Sequence, residues 1–123
     1  MPIYTFTHSC ELSAESKKAL AKGVTAIHCE KTGAPAKYVQ LVFIKVDPED
    51  AFSGGEPSGS YLTLEGTIRP GRSQDVEQAM LWSLNDLIKT ASACAAHPFK
   101  YFISLGRFST PWLIENGVML PAA

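Results

Sequence analysis

A succession of strand, helix and strand occurs twice along the chain, and this repeat constrains the possible fold more than any other feature. Each copy begins and ends with a segment dense in β-branched and aromatic residues, and between them apolar residues recur at helical spacing. The predicted elements, in strand, helix, strand order for each copy, are Ile3–Thr7, Ser13–Lys31, Tyr38–Val46, Tyr61–Ile68, Ser73–Ala95 and Phe99–Leu105.

Each predicted helix carries a single apolar stripe, which a sheet can cover. The stripe residues are Leu20, Val24 and Ile27 in the first helix, and Val76, Met80, Leu84, Leu87 and Ala91 in the second. We therefore expect an α+β fold in which the two β-α-β repeats form a four-stranded mixed sheet with two helices on one face. A chain of 123 residues has the usual size of one domain, so a single domain over residues 1–123 is expected, with pseudo-repeats of about residues 1–60 and 61–123.

The central strand Tyr38–Val46 is apolar on both faces, although the two helices would cover only one face of the sheet. We therefore expect an oligomer in which another subunit covers the open face. The stretch from Asp47 to Ser60 holds three glycines and two prolines and is predicted to be the longest loop. The tail from Pro111 to Pro121 is predicted to add a helical turn, an Asn-Gly turn and a short apolar strand.

Charge and motif content exclude several classes of function. The formal charge of -1 provides no overall attraction for nucleic acid or an anionic membrane, and no apolar run approaches the length of a membrane span. The three cysteines are widely spaced and form no C-x-x-C motif. This pattern is typical of reduced thiols, and reduced thiols predict a cytoplasmic protein. The chain also lacks glycine-rich nucleotide loops, and its His and Cys residues do not follow zinc-ligand spacing, so neither a cofactor nor a metal is expected.

Pro2 is the first residue that suggests chemistry. A small residue after the initiator methionine normally permits removal of Met1, which would leave Pro2 with a free secondary amine. An α-amino group titrates near pH ~8, so this nitrogen could act as an acid or a base. Proline at position two is also common in proteins without such chemistry.

The sequence Arg69-Pro70-Gly71-Arg72 stands between a predicted strand and the second predicted helix. Pro-Gly suits the centre of a type II turn, which would bring the two arginines together at a helix N-terminus. Two guanidinium groups beside free amide donors would bind a small carboxylate. A solvated turn whose arginines pair with surface acids is the alternative.

His28 and Glu115 are two further candidates. His28 continues the apolar stripe of the first helix, where a histidine is either a hydrogen-bonded core residue or a functional one. Glu115 lies in the apolar segment WLIEN, and partial desolvation would raise its proton affinity and suit it to activate water. A solvated acid on a terminal turn is the alternative interpretation of Glu115.

These four sites follow one another in a recognisable order: MPIY at the start, AIH ending at His28, IRPGRS around Arg69 and Arg72, and LIENG around Glu115. In this the chain resembles the tautomerase superfamily, whose members share an amino-terminal proline, and it looks most like the cis-3-chloroacrylic acid dehalogenase group. The resemblance implies a homotrimer that needs no cofactor and acts on a small carboxylic acid, as an isomerase or as a hydratase or dehalogenase.

The same resemblance implies a role for each site residue. Arg69 and Arg72 would bind and polarise the substrate carboxylate with help from His28, and Glu115 would activate water. Pro2 would donate a proton to an unsaturated acid if it is cationic, or move protons between keto and enol forms if it is neutral. Decarboxylation of a small β-keto acid and a non-catalytic binding protein with the same pocket are the alternatives.

One position departs from the dehalogenase pattern. Ser104, in FISLG, aligns where those enzymes have a tyrosine that helps to activate water. Serine is too short to replace it, so weak dehalogenation is expected unless Tyr4 or Tyr101 supplies a hydroxyl.

Overall fold

A computed structural model describes residues 1–91, 100–109 and 113–119 of the chain. Its helices and strands, numbered in chain order, are β1 (Ile3–His8), α1 (Ala14–Thr32), β2 (Gln40–Lys45), β3 (Phe52–Ser53), β4 (Glu56–Pro57), β5 (Tyr61–Ile68), α2 (Gln74–Ala91), β6 (Lys100–Arg107), β7 (Ile114–Glu115) and β8 (Val118–Met119). Both copies of the strand, helix, strand repeat are present.

Four strands form one mixed sheet in the order β2-β1-β5-β6. Within each repeat the two strands are parallel, because a helix connects them, whereas β1 and β5 meet antiparallel at the centre. Ile3 is paired with Thr67, so the start of the chain lies beside the end of β5. The predicted fold is confirmed, and its topology brings Pro2 to the sheet edge from which Arg69 departs.

Some predicted boundaries are wrong. Residues Ala36–Tyr38 form a 3-10 turn, so Tyr38 and Val39 precede β2 instead of belonging to it. The predicted long loop contains a 3-10 turn at Pro48–Asp50 and the small hairpin of β3 and β4, so part of it is regular. The predicted continuation of the second helix beyond Ala91, and the predicted strand residue Phe99, lie outside the described residues.

Two capping residues set the length of α1. At its start, Ser16 donates its backbone N–H to Ser13 Oγ at 3.0 Å. At its end, Gly33 adopts a left-handed φ of 74° and donates its N–H to the Cys29 carbonyl at 2.8 Å. His28 therefore lies in the last two turns of the helix, close to the point where the chain turns away.

The core lies between the sheet and the two helices, both of which pack on the same sheet face. Its fully buried members on the strands are Tyr4, Phe6, Leu62, Leu64 and Ile68, and those on the helices are Leu20, Val24, Met80, Leu84 and Ile88. Ile88 was not part of the predicted stripe of the second helix. The helices approach closely at Gly23, where an added Cβ would lie 2.6 Å from Leu87 Cδ1.

The other sheet face is uncovered in the single chain. Val42, Ile44 and Phe102 lie there with 48%, 50% and 60% of their surface exposed. The alternation along β2 places Val42 and Ile44 on the face opposite Leu41 and Phe43, which pack against the core. The chain thus has the two-sided apolar strand that the sequence indicates, but β2 lies at the edge of the sheet, so the prediction that this strand is central is wrong.

The described part of the tail forms a tight hairpin of β7 and β8. Asn116 and Gly117 both have positive φ, 51° and 81°, as a two-residue hairpin turn requires. Glu115 stands on β7 immediately before this turn. The helical turn predicted near Pro111 falls outside the described residues.

The prediction of three reduced thiols is wrong for Cys10, which is disulfide-bonded, whereas Cys29 is a free thiol. Cys94 lies outside the described residues. The odd number of cysteines and their spacing therefore did not reveal the disulfide at Cys10. Among the described residues, no helix has the length and apolar character needed to cross a membrane.

Replacing Gly66 with alanine is expected to destabilise the fold by about 1–3 kcal/mol, as overpacked cores typically do. Its Cβ would lie 2.6 Å from Tyr4 Cε1 and 2.8 Å from Leu105 Cδ2, and the buried tyrosine ring has no room to move away. Urea unfolding measures the loss. Gly106→Ala is the matched control, because, among the described residues other than its chain neighbours, the nearest atom to its Cβ would be the Gly66 carbonyl oxygen at 4.0 Å. Equal stability of the two variants would contradict this packing.

Candidate active site

A cavity of about 430 Å³ opens at the sheet edge where β1 begins and β5 ends. Its walls come from the chain start, the end of α1, the loop after β5 and the tail hairpin. The lining residues are Met1, Pro2, His28, Thr32, Gly33, Ala34, Pro35, Tyr38, Arg69, Arg72 and Glu115. Five residues that the sequence singled out, Pro2, His28, Arg69, Arg72 and Glu115, therefore line one cavity.

Pro2 is buried at the base of this cavity, immediately before β1. Its carbonyl accepts a hydrogen bond from the Gln40 N–H at 2.9 Å, so the start of β2 fixes its backbone. The ammonium group of Met1 forms an ion pair with Glu115. Because only three bonds separate the Met1 and Pro2 nitrogens, this contact places the Glu115 carboxylate next to the chain start.

Arg69 and Arg72 are brought to the cavity by the loop between β5 and α2. Gly71 has a φ of 111°, a value that residues with a side chain rarely adopt, and it turns the loop back toward the cavity. Arg72 donates from Nη1 to the carbonyl of Arg69 at 3.0 Å, which holds the two residues together. Ser73 then accepts the Val76 N–H at 3.3 Å at the start of α2.

His28 is buried in the cavity wall and its Nδ1 lies 2.7 Å from the hydroxyl of Tyr4. Burial lowers the pKa of His28 to about 4, and the positive charges of Arg72 and the chain terminus act in the same direction. Burial also raises the pKa of the Tyr4 hydroxyl well above its ordinary value. Both side chains are therefore neutral at physiological pH.

The charges around the cavity favour an anionic guest. Two guanidinium groups and the terminal ammonium face one carboxylate, that of Glu115, while His28 adds no charge. Such an arrangement can bind a carboxylate and place an amine and a second carboxylate beside it. Within the described ranges, no three His, Cys, Asp or Glu side chains converge in a way that would hold a metal ion.

The structure places the candidate hydroxyl groups elsewhere. Ser104 pairs with Glu65 on the open sheet face, and it does not line the cavity of its own subunit. Tyr4 is buried beneath the cavity with its hydroxyl on His28, and Tyr101 donates its hydroxyl to Asn85 at 2.7 Å. Neither tyrosine is a lining residue of this cavity.

Sequence reasoning missed one wall of the cavity, formed by the segment from Thr32 to Pro35 and by Tyr38. Gly33 and Pro35 are recognisable in the sequence as residues that end a helix. Tyr38 was predicted to be a strand residue, so it was not a candidate for the cavity wall. Thr32 donates its hydroxyl to the His28 carbonyl at 2.7 Å and accepts the Ala34 N–H at 3.2 Å. These bonds tie the wall to the helix turn that carries His28.

The buried, neutral state of His28 predicts a pH dependence of stability. Between pH 6.5 and about 4 the unfolded chain binds a proton at this histidine that the folded chain does not, so acidification lowers the free energy of unfolding. In His28→Gln this contribution disappears, and we expect a shallower decline over the same range. Urea unfolding at several pH values and one protein concentration measures both slopes; identical slopes would contradict a buried neutral His28.

Comparisons with known proteins identify the family and the fold of this chain. The family Tautomerase_3, described as "Putative oxalocrotonate tautomerase enzyme", matches residues 1–123. The crystal structure of native Ps01740 is 28% identical over 92% of this chain and 99% of its own, with a TM-score of 0.79. A comparison with curated proteins finds no match.

Two more distant structures share the fold. N1, a member of the cis-3-chloroacrylic acid dehalogenase family, is 19% identical over 98% of this chain and 84% of its own, with a TM-score of 0.76. The W0 fused 4-OT wild type symmetric trimer is 14% identical over 95% of this chain and 96% of its own, with a TM-score of 0.79. With a family match along its whole length and the two-repeat fold observed, this chain belongs to the Tautomerase_3 family of the tautomerase superfamily.

Proposed function

We propose that this protein is an enzyme that needs no cofactor and uses the Pro2 amine, free once Met1 is removed, as an acid or base on a small unsaturated or keto carboxylic acid. The observation that supports this most is the convergence of Pro2, the two arginines and Glu115 on one cavity. An amine, an anion-binding pair and a carboxylate together can bind such an acid and move its protons.

Arg69 and Arg72 hold the substrate carboxylate in this proposal, because paired guanidinium groups match the two oxygens of a carboxylate. In ketonisation of an enol acid, neutral Pro2 accepts the enol hydroxyl proton and a proton is returned to the neighbouring carbon. The double bond moves from carbon-carbon to carbon-oxygen, and no external reagent is consumed. Membership of the Tautomerase_3 family supports this isomerase reaction.

Addition of water to an unsaturated acid is the second reaction that the same groups support. Glu115 accepts a proton from water as the oxygen bonds to the β-carbon, and cationic Pro2 gives a proton to the α-carbon. A β-halogen on the adduct then leaves as halide together with a proton. Ser104 stands at the position where the dehalogenases have a tyrosine that helps to activate water, and a serine hydroxyl is too short to replace it, so we expect dehalogenation to be slow.

We also propose a homotrimer built through the open sheet face. The exposed apolar residues Val42, Ile44 and Phe102 support this, since such a patch is typical of an interface. The W0 fused 4-OT protein, which shares the fold, is a symmetric trimer. In such an assembly Ser104 would face a neighbouring subunit.

Parallel assays on the purified enzyme test the proposed function. We expect ketonisation of phenylenolpyruvate, weaker hydration of an acetylenic acid, and little halide release from cis-3-chloroacrylate, which Ser104→Tyr should increase. A small β-keto acid is included, and turnover of that substrate alone would favour a decarboxylase. If no substrate is turned over although intact mass shows that Met1 is absent, the non-catalytic binding protein becomes the better interpretation.

A further inference from the structure

We infer that Tyr4 is a positioning residue that holds His28 in one tautomer, with Nδ1 as acceptor and an Nε2–H donor directed to the cavity. The inference rests on the proposed function only in its assumption that a carboxylic acid occupies the cavity. It assigns Tyr4 a role different from the water-activating hydroxyl suggested by the sequence.

The geometry of the pair supports this role. Tyr4 is fully buried on β1, and its hydroxyl lies 2.7 Å from His28 Nδ1. The two rings meet edge to face, with centroids 5.7 Å apart and an interplanar angle of 79°. Gly66 is the cross-strand partner of Tyr4, and the absence of a Cβ there leaves the space that the tyrosine ring occupies.

The direction of the hydrogen bond follows from what surrounds the hydroxyl. A neutral phenol can donate to an unprotonated Nδ1 or accept from a protonated one. If it accepted, its own hydrogen would need another acceptor, and the described residues offer the Tyr4 hydroxyl no partner besides His28. Donation from Tyr4 satisfies both groups, so the proton of the neutral imidazole is on Nε2.

An Nε2–H donor suits the charge of the cavity. Nδ1 faces Tyr4 in the core, so Nε2 is the ring nitrogen left for the cavity that His28 lines. A neutral donor adds a directed hydrogen bond to a substrate oxygen without adding a third full positive charge beside Arg72. The alternative tautomer would present a lone pair to the substrate carboxylate and repel it.

Nitrogen-15 NMR of the histidines tests the tautomer directly and needs no substrate. We expect His28, assigned by its loss in His28→Gln, to show protonated Nε2 and unprotonated Nδ1. His8 is an internal reference for the opposite form, because its Nδ1 lies 2.7 Å from the Cys10 carbonyl, which can only accept. In Tyr4→Phe, which keeps the ring, the His28 signals should shift toward a mixture of tautomers. Protonated Nδ1 in the wild type, or unchanged signals in Tyr4→Phe, would overturn the inference.

Kinetics then separate a positioning role from a structural one. We expect Tyr4→Phe to lower kcat/KM for phenylenolpyruvate about 10-fold, the usual effect of one lost hydrogen bond, and to cause no further loss in a His28→Gln background. Tyr61→Phe, at the other end of the sheet, is the control and should be unchanged. Additive losses in the double variant would overturn the inference. An inactive wild type with the expected histidine tautomer would instead refute only the proposed function.

Discussion

Pro2→Ala is expected to lower kcat/KM for phenylenolpyruvate ketonisation by about 100-fold or more, since a positioned acid or base typically contributes 10²–10⁴-fold. Alanine keeps a small second residue, so Met1 should still be removed and a primary amine should remain. What is lost is the secondary amine held rigidly by the pyrrolidine ring at the buried head of β1. The variant therefore tests the ring amine and not merely the presence of a terminal nitrogen.

Steady-state kinetics measure this effect, and intact mass must first show that Met1 is absent from both proteins. Pro48→Ala is the matched control, because Pro48 begins a 3-10 turn away from the cavity and should leave kcat/KM unchanged. Full activity of Pro2→Ala would refute the proposed acid or base. Retention of Met1 in an active wild type would refute it as well, because the Pro2 nitrogen would then be an amide.

Arg72→Ala is expected to lower kcat/KM for carboxylate substrates by about 100-fold. A charge-assisted hydrogen bond contributes about 1.5–3 kcal/mol, and each 1.4 kcal/mol corresponds to a factor of ten. Arg72 is half-buried, whereas Arg69 is exposed, so solvent screens the Arg72 interaction less. Arg72 also donates to the Arg69 carbonyl at 3.0 Å, so its removal loosens the partner arginine too.

The substrate itself provides the sharpest control for the arginine. With the methyl ester, which lacks the carboxylate charge, the same variant should lose little activity relative to wild type. Arg72→Lys, which keeps the charge without the planar fork, should retain an intermediate kcat/KM. Lys37 also carries a positive charge near the cavity, because its ammonium group lies over the Tyr38 ring, but Lys37 itself does not line the cavity. Lys37→Ala should therefore have little effect on kcat/KM. Equal losses for acid and ester would contradict carboxylate binding by Arg72.

Much of the fold was predictable because its signals are local. Ser13 and Gly33 mark the ends of α1 by capping chemistry that needs no tertiary contact. The strands of the sheet follow from runs of β-branched and aromatic residues, and the repeat determines their pairing. The errors occurred where short segments depend on neighbours, as at Tyr38, whose turn follows Pro35, and at the β3 and β4 hairpin.

The meeting of the candidate residues in one cavity was predictable only from the set as a whole. Pro2, His28, Arg69, Arg72 and Glu115 each had an ordinary structural alternative, and their joint order along the chain was the useful signal. Their meeting in one cavity depends on β1 and β5 lying antiparallel, which brings positions nearly seventy residues apart to one sheet edge.

The sequence by itself determined the two-repeat α+β fold and the chemical groups available, because periodicity, caps and residue types are local properties. Only the tertiary structure decided which groups meet. It turned Tyr4 from a candidate water activator into the partner of His28, and it placed Ser104 on the open face. It also paired Cys10 in a disulfide. Distances, burial and hydrogen-bond direction arise from packing between distant segments, and no local pattern encodes them.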